Sequence, residues 1–467
     1  MPSAERTSGT AVCVDFGSTF TKAALVDLAA GRIVASASHP TTIGTDVLDG
    51  YDACLAALAA ADPRAAGAEV HACSSAGGGL RIAVVGNEEL VTAEAGRRVA
   101  LSSGGKVVAV LAAAGRAPDS APYRTLRDTT RPDVVLLTGG TDGGNSEVLL
   151  QAARDLVSSG WAGPVVVAGN VEAQPQVSEI LQHVPHVLAD NVVPRIGVLA
   201  PDSARAAIRE TFLAHVIGGK HLSGRADFTA MVRGATPDVV LTGVELLARG
   251  LDAAHPGAGD VVVVDVGGAT TDVHSVVEID PDTQLTEGGL AREVVASTPV
   301  TRTVEGDLGM RWSAVTTAEA AGLDGLAAAA RRRHDDPGFL PATDGEADED
   351  EALARAAVGL ALRRHAGRSR VVVSPEGRVV ERTGKDLREV GLLVASGGVL
   401  RNGRDGVASR VLEGSIGADL EGGWQLPRHA RVVVDRDYVL AAAGLLAAPH
   451  PEAAYRLALS LAAPAAG

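Results

Sequence analysis

Two short segments, 250 positions apart, carry the residue types that phosphate and metal chemistry require: Asp15-Phe-Gly-Ser-Thr-Phe-Thr-Lys22 and Asp265-Val-Gly-Gly-Ala-Thr-Thr-Asp272. Each follows a β-branched run, Ala11 to Val14 in the first case and Val261 to Val264 in the second. Each therefore reads as a strand entering a tight turn. Glycine in such a turn (Gly17; Gly267 and Gly268) lets backbone N–H groups approach an anion, because no Cβ stands in the way. The hydroxyls of Ser18, Thr19 and Thr270 add donors. A carboxylate only accepts, so Asp15 and Asp265 at the strand ends suit a hydrated Mg2+ rather than a phosphate oxygen. One such loop is common turn chemistry. Two in matching context predict a nucleotide cleft between two related halves.

The elements around these loops repeat as well. Ala23–Asp27 and Gly31–Ser36 read as further strands of a meander after the first loop, and Asp272–Glu278 continues as the strand after the second. Strand Val134–Leu137, helix Ser146–Ser158, strand Val165–Ala168 and helix Val177–Val184 form a β-α-β-α series, which favours a parallel sheet covered by helices. Arg370–Glu381 reads as a hairpin with Pro-Glu-Gly at its turn, and Leu392–Ala395 as a strand before Ser396-Gly397-Gly398. Thr316–His365 is helix-rich and is expected to be an inserted or mobile subdomain. Within it, Arg331–Glu351 reads as a solvated charged linker, mobile because it offers little apolar surface.

The chain has 467 residues, enough for two or three domains, and its 46% hydrophobic content includes only 3% aromatics, so Ala, Val and Leu must pack the core. A net charge of −15 argues against nucleic acid or an anionic membrane as partner, since both need a positive field. Met1–Thr10 lacks an apolar signal core, no run is long enough to span a membrane, and Cys13, Cys54 and Cys73 lack metal-binding spacing. These features suggest a cytoplasmic protein with buried, reduced thiols. With 38 Arg and only 4 Lys, Lys22 stands out, and a compact ammonium suits a point contact to phosphate.

The two loops resemble the phosphate-1 and phosphate-2 motifs of the actin-like ATPase superfamily, which includes actin, sugar kinases and heat-shock chaperone ATPases. Val394-Ala-Ser-Gly-Gly-Val399 resembles that superfamily's adenosine motif. Asp133-Val-Val-Leu-Leu-Thr-Gly-Gly-Thr-Asp-Gly-Gly-Asn145 and Arg302-Thr-Val-Glu-Gly-Asp-Leu-Gly-Met-Arg311 are similar to a narrower group, the glutamate mutase accessory proteins of the MutL family, unrelated to mismatch repair. The resemblance runs from Asp15 to about Gly444. It implies an α/β fold of two actin-like (ribonuclease H-like) lobes around the cleft, with an inserted helical subdomain. The expected division is residues 1–255 for the first lobe with additional α/β elements, 256–446 for the second with its insertion near 316–366, and 447–467 as a tail.

The resemblance further implies ATP and Mg2+ as cofactors. Asp15, Gly17, Ser18, Thr19 and Lys22 would meet the phosphates from one side, and Gly267, Gly268 and Thr270 from the other. Ser396, Gly397 and Gly398 would take the nucleoside, and Asp15 and Asp265 would hold Mg2+ through water. Asp265 is the first candidate to orient the attacking water, with Asp142 and Glu172 behind it, each just past a strand end facing the expected cleft. Glu305-Gly-Asp307 sits where chaperone ATPases carry a turn beside the nucleotide, although an N-cap at Asp307 explains it equally. The implied role is an ATP-hydrolysing, chaperone-like factor acting on the subunits of an adenosylcobalamin-dependent mutase. The alternative is a small-molecule kinase of the acetate or sugar kinase type. Walker, Gly-x-Gly-x-x-Gly and His-Glu-x-x-His motifs are absent, and His183 and His186 precede no acidic ligand. A cobalamin-binding Asp-x-His-x-x-Gly pattern begins at Asp272-Val-His274 but has Val277 where glycine is needed.

Overall fold

The computed structural model describes residues 9–86, 92–112, 121–278, 298–374, 377–417 and 422–463. Strands β1 (Thr10–Phe16), β2 (Phe20–Asp27) and β3 (Arg32–Pro40) form the expected antiparallel meander. Strand β4 (Glu69–Ser74) runs parallel to β1 on its other side, and β10 (Val232–Ala235) parallel to β4, giving the order β3-β2-β1-β4-β10. The arrangement recurs in β13 (Val261–Val266), β14 (Thr271–Val276), β15 (Val300–Glu305), β18 (Leu392–Ser396) and β19 (Arg431–Val434), ordered β15-β14-β13-β18-β19. Again the first three strands are antiparallel and the last two parallel. The chain thus builds one sheet twice, and the two phosphate-type loops are the same β-turn of each copy.

Alternation along the strands assigns each face of a sheet its own layer. Val12, Val14 and Phe16 of β1 pack with Leu48, Tyr51 and Leu58 of helix α1 (Val47–Ala61), whereas Ala11 and Cys13 turn to the opposite face. On that opposite face lie the helices that follow the last strand of each sheet, α3 (Thr236–Arg249) and α7 (Val439–Leu446). They pack on each other with almost no side-chain spacing. A Cβ on Gly243 would fall 2.1 Å from the Leu440 carbonyl oxygen, and one on Gly444 only 1.9 Å from that of Val239. Helix α7 therefore joins the two halves through paired glycines.

Between β4 and β10 is inserted a third, wholly parallel sheet, ordered β6-β5-β7-β8-β9. Its strands are β5 (Leu80–Gly86), β6 (Gly105–Ala112), β7 (Val134–Leu137), β8 (Val165–Val167) and β9 (His186–Leu188). The expected alternation of strand and helix holds, with helix α2 (Thr92–Ser102) after β5 and Glu147–Ser158 after β7. The helix expected over Val177–Val184 instead spans Gln174–Ile180, because Pro175 presets its first turn. Two small hairpins complete the strands: β11 (Gly250–Asp252) with β12 (His255–Pro256), and β16 (Arg368–Ser374) with β17 (Gly377–Thr383). The hairpin around Arg370–Glu381 is thus present, while its turn at Pro375-Glu376 lies outside the described residues.

Two expectations are corrected. The charged stretch Arg331–Glu351 is not a solvated linker; it is the facing ends of helices α4 (Ala327–Asp335) and α5 (Asp344–His365). Arg333 is fully buried, with its Nε 2.5 Å from Asp350 Oδ1 and its Nη1 3.0 Å from Glu349. A capping box between Thr343 and Glu346 starts α5, whose Leu353, Ala354, Ala357, Val358, Ala361 and Leu362 pack with Val262 and Val264 of β13. Charge density misled because the charges pair with each other, while the apolar face follows a helical period C-terminal to them. Nor is the segment after 446 a loose tail. It contains helix α8 (Pro451–Leu459), whose Ala453, Ala454, Leu457 and Ala458 are buried beside α3 and α7. Among the described residues, no helix is long and apolar enough to cross a membrane.

The glycine crossing can be tested by adding one methyl group. Gly444→Ala should cost about 3 kcal/mol or more in denaturant unfolding, because the clash is with a backbone carbonyl that cannot rotate away. Gly325→Ala, where a Cβ meets nothing within 4 Å, should stay within about 0.5 kcal/mol of the parent. Equal stability of the two variants would refute the crossing.

Candidate functional site: two facing hairpin turns

Each turn is closed by the same hydrogen bond: Gly17 N donates to Phe20 O at 3.2 Å, and Gly267 N to Thr270 O at 2.9 Å. Neither glycine tolerates a side chain, since a Cβ would lie 2.6 Å from Phe20 O in the first turn and 2.9 Å from Thr270 O in the second. The first turn is held by Thr41, just after β3, whose Oγ1 donates to Gly17 O at 2.8 Å and whose N donates to Thr19 O at 2.9 Å. The second is held by the segment after β15: Met310 N donates to Gly267 O, Arg311 N to Gly268 O, and Ser313 Oγ to Ala269 O. The phrase Arg302–Arg311 thus acts as a brace for the second turn. Arg311 also reaches Asp350 at 3.4 Å, so the buried pair Arg333–Asp350 extends that brace into α4 and α5. The two turns face each other, because a Cβ on Gly268 would sit 3.9 Å from Thr19 Oγ1. Ser18 is exposed and Thr19 half-buried.

The carboxylates are placed by register. Asp15 stands opposite Lys22 across the β1–β2 pair, and Asp265 opposite Asp272 across β13–β14. Asp15 is buried, with Lys22 Nζ 3.3 Å from Oδ2 and Thr236 Oγ1 donating to Oδ1 at 2.6 Å. Asp265 lies beside Ser396 of β18. Desolvation pushes the Asp265 carboxyl above its ordinary range; Lys22 opposes this, while Asp272 and Asp15 reinforce it. Desolvation also pulls on Lys22, but Asp15, Tyr438 and Asp265 outweigh it and hold the ammonium firmly protonated. Asp272 is engaged by Arg302, at 2.5 Å, and accepts from Thr270 Oγ1 at 3.1 Å. Thr270 therefore offers the cleft little beyond its backbone. Asp15 and Asp265 present an all-oxygen set whose mutual repulsion Lys22 only partly offsets, and that fits a hard divalent cation such as Mg2+.

On the α7 side of β1 is a cavity of about 240 Å3, walled by Asp15, Lys22, Arg401, Tyr438 and Ala442. Tyr438 lies in the left-handed region (φ 56°), and its ring is covered by the Lys22 ammonium at 4.1 Å and the Arg401 guanidinium at 3.4 Å. Before it, buried Asp435 accepts from the amides of Val439 (2.7 Å) and Leu440 (3.1 Å), capping α7. Burial raises the Asp435 carboxyl to about 6, against the pull of those two amides, and the Asp265 charge adds to the rise. Thr236, Tyr438, Arg401 and Asp435 were not foreseen. Only Thr236 carried a local signal, as the residue before Pro237 at the junction of β10 and α3.

The structure does not place all candidates in the cleft. Asp142 and Glu172 sit together on the third sheet: Asp142 Oδ1 accepts from Asn191 Nδ2 (2.9 Å) and Val171 N (3.2 Å), and Glu172 Oε1 lies 3.7 Å from a Cβ position at Gly143. Among the described residues neither is bonded to the two turns, because the strand ends that carry them belong to a different sheet. Asp307 does not cap a helix. Together with Glu305 it holds Arg364 of α5, at 2.7 and 2.6 Å. In the third motif Gly397 serves the backbone: at φ 110° its Cβ would strike Val266 O at 2.2 Å. A Cβ on Gly398, which opens the short helix α6 (Gly398–Asn402), would meet nothing within 4 Å. His274 is buried in β14, so its ring is closed off from any cobalt ligation. Cys13, Cys54 and Cys73 are free and buried.

A hairpin-first sheet built twice, with helices crossing behind and glycine turns facing in front, defines the actin-like, ribonuclease H-like class. The chain belongs to the MutL protein family, whose model matches residues 11–461. It is 34% identical over 462 residues to Protein MutL of Clostridium tetanomorphum, covering 95% of this chain and 97% of that one. Among solved structures, ethanolamine utilization protein EutJ from Carboxydothermus hydrogenoformans aligns at 11% identity and TM-score 0.28, over 96% of this chain and 89% of its own. A carbohydrate kinase from Novosphingobium aromaticivorans aligns at 16% and 0.29, over 97% and 99%. Likenesses that loose carry no argument, and the class rests on strand order.

Two predictions follow from the geometry. Gly397→Val should destabilise the whole protein, whereas Gly398→Val should melt like the parent yet bind ATP more weakly in a calorimetric titration. If Gly398→Val binds ATP as the parent does, α6 is not the nucleoside's support. For Asp435, the folded value is raised from 3.8 to about 6, so the native state holds a proton that the unfolded chain has already lost. That contribution to stability is complete below about 3.8 and disappears as pH rises through about 6. The melting temperature of the parent minus that of Asp435→Asn should therefore fall across this window and level off above it. A constant difference would mean that Asp435 is not a desolvated carboxyl.

Proposed function

We propose that the chain binds Mg-ATP between the turns Gly17–Thr19 and Gly267–Thr270 and hydrolyses it, serving as a chaperone-like accessory factor for an adenosylcobalamin-dependent mutase. The observation that carries the nucleotide reading is the equivalence of the two turns: same strand junction, same closing bond, an aspartate at the same register, and facing orientation. Backbone amides of both turns and the Thr19 hydroxyl would bind the phosphate oxygens, with Lys22 compensating charge beside Asp15. Mg2+ would be held by Asp15 and Asp265 through water, supplying the positive charge that the transferred phosphoryl group requires. Asp265, raised in pKa and next to the second turn, is suited to orient a water and accept its proton. Asp142 and Glu172 are left outside this machinery.

The mutase partner is supported by membership of the MutL family together with the resemblance set out above. ATP and ADP would favour different separations of the two turns, and the α3–α7 crossing would pass that difference to the outer surfaces of the sheets. A pull-down from native lysate with ATP, with ADP and without nucleotide tests the partner: a cobalamin mutase subunit should be retained in a nucleotide-dependent way. ATP consumption that instead depends on an added sugar or carboxylate would replace this reading with the kinase alternative.

Asp265→Asn removes a desolvated and repelled charge, so the variant should melt at or above the parent temperature. Its ATP turnover should fall by about 100-fold or more. Turnover at the parent rate would displace Asp265 from the reaction.

A further inference from the structure

At the opposite end of β4 from the facing turns, three side chains converge that the nucleotide reading does not use. His71, on β4, is only 7% exposed, and neither of its ring nitrogens has a hydrogen-bond partner among the described residues. Its Nε2 lies 3.3 Å from Glu69 Oε2, but off the direction a hydrogen bond needs. Glu69 Oε1 in turn contacts Nε2 of His450, the residue preceding α8. One ligand atom from each of the three falls within 4.8 Å of the others. The two imidazoles meet edge-on with centroids 6.3 Å apart, a packing that still leaves both ring nitrogens of His71 without a hydrogen bond.

A buried ring whose nitrogens lack a well-directed hydrogen bond is costly, since the water lost on folding is replaced only by the off-axis contact of Nε2 with Glu69. Two imidazoles and one carboxylate form a ligand set typical of Zn2+ and related ions, with a fourth position left for water. Around a tetrahedral ion with bonds of about 2.0–2.1 Å, ligand atoms stand roughly 3.4 Å apart. The Glu69–His71 separation of 3.3 Å already matches that spacing.

We propose that Glu69, His71 and His450 form a binding site for one divalent transition-metal ion of the Zn2+ type, open to solvent on the Glu69 side. Glu69 and His450 are 381 positions apart, so the ion would close a loop of nearly the whole chain. It would fasten the turn between α7 and α8 to the first sheet, and so hold the end of a crossing helix in place. This inference is independent of the nucleotide reading, because none of the three side chains belongs to the facing turns, and Glu69, at the start of β4, stands five residues from the strand end beside the first turn.

The test uses the full chain, stripped with a chelator and dialysed. Titration with Zn2+ followed by calorimetry, and with Co2+ followed by visible absorption, should each show one ion per chain with micromolar affinity or better. Zn2+ should also raise the melting temperature. In His450→Ala and in the conservative Glu69→Gln, both checked for parent-like circular dichroism, affinity should weaken by at least about tenfold. A parent protein that binds neither ion at micromolar concentration overturns the proposal. So does binding that persists unchanged in both variants, which would place the ion elsewhere.

Discussion

Everything at the candidate site depends on how closely α3 and α7 cross. A helix follows the last strand of each sheet, and the two can share one layer only if their backbones touch. Gly243 and Gly444 permit that, each lying against a carbonyl of the other helix. Close contact brings the same face of both sheets together, and on that face the alternation of β1 and β13 puts Asp15 and Asp265. Larger residues at the crossing would separate the sheets and leave each turn a solvated hairpin. The packing of two glycines thus decides whether the separate turns become one site.

Charge is the second constraint. Asp15 and Asp265 lie near one ammonium, Asp272 and Asp435 each interact with Asp265, and burial makes the repulsion expensive. Each is partly answered: Asp15 by Lys22 and Thr236, Asp272 by Arg302, Asp435 by the first amides of α7. The Asp265 carboxyl is raised chiefly by desolvation, with Asp272 and Asp15 adding to the rise. In the proposed reading, a cation bound there with an anionic ligand would relieve that repulsion. The second turn in particular is held rigid from behind by Arg311, Asp350 and the buried Arg333.

The residues that a sequence reader would dismiss as charged surface turn out to stiffen this arrangement. Arg333 and Asp350 are 17 positions apart and carry no local sign of burial. Only when α4 and α5 fold back on each other do their charges meet, and only the apolar stripe further along α5 shows that this pair of helices has a core to cover. The same holds for α8, whose alanines read as weak tail composition until α3 and α7 provide a surface to bury them.

The sequence by itself determined the local chemistry: two strand–turn units with aspartate, glycine and hydroxyls in order, a third Gly-Gly turn, and the inserted run of alternating strands and helices. Those follow from short-range rules, since turn type and strand period depend on neighbours a few residues away. Tertiary structure decided which of the candidates meet. Asp142 and Glu172 have strand-end positions as good as Asp265 does, yet they belong to another sheet. Gly397 and Gly398 look alike in sequence, yet one faces Val266 and the other open space. Thr236, Tyr438 and Asp435 reach the site, and Glu69, His71 and His450 reach each other, from distant parts of the chain. Contacts of that kind are created by packing, where shape and desolvation choose partners that spacing along the chain does not reveal.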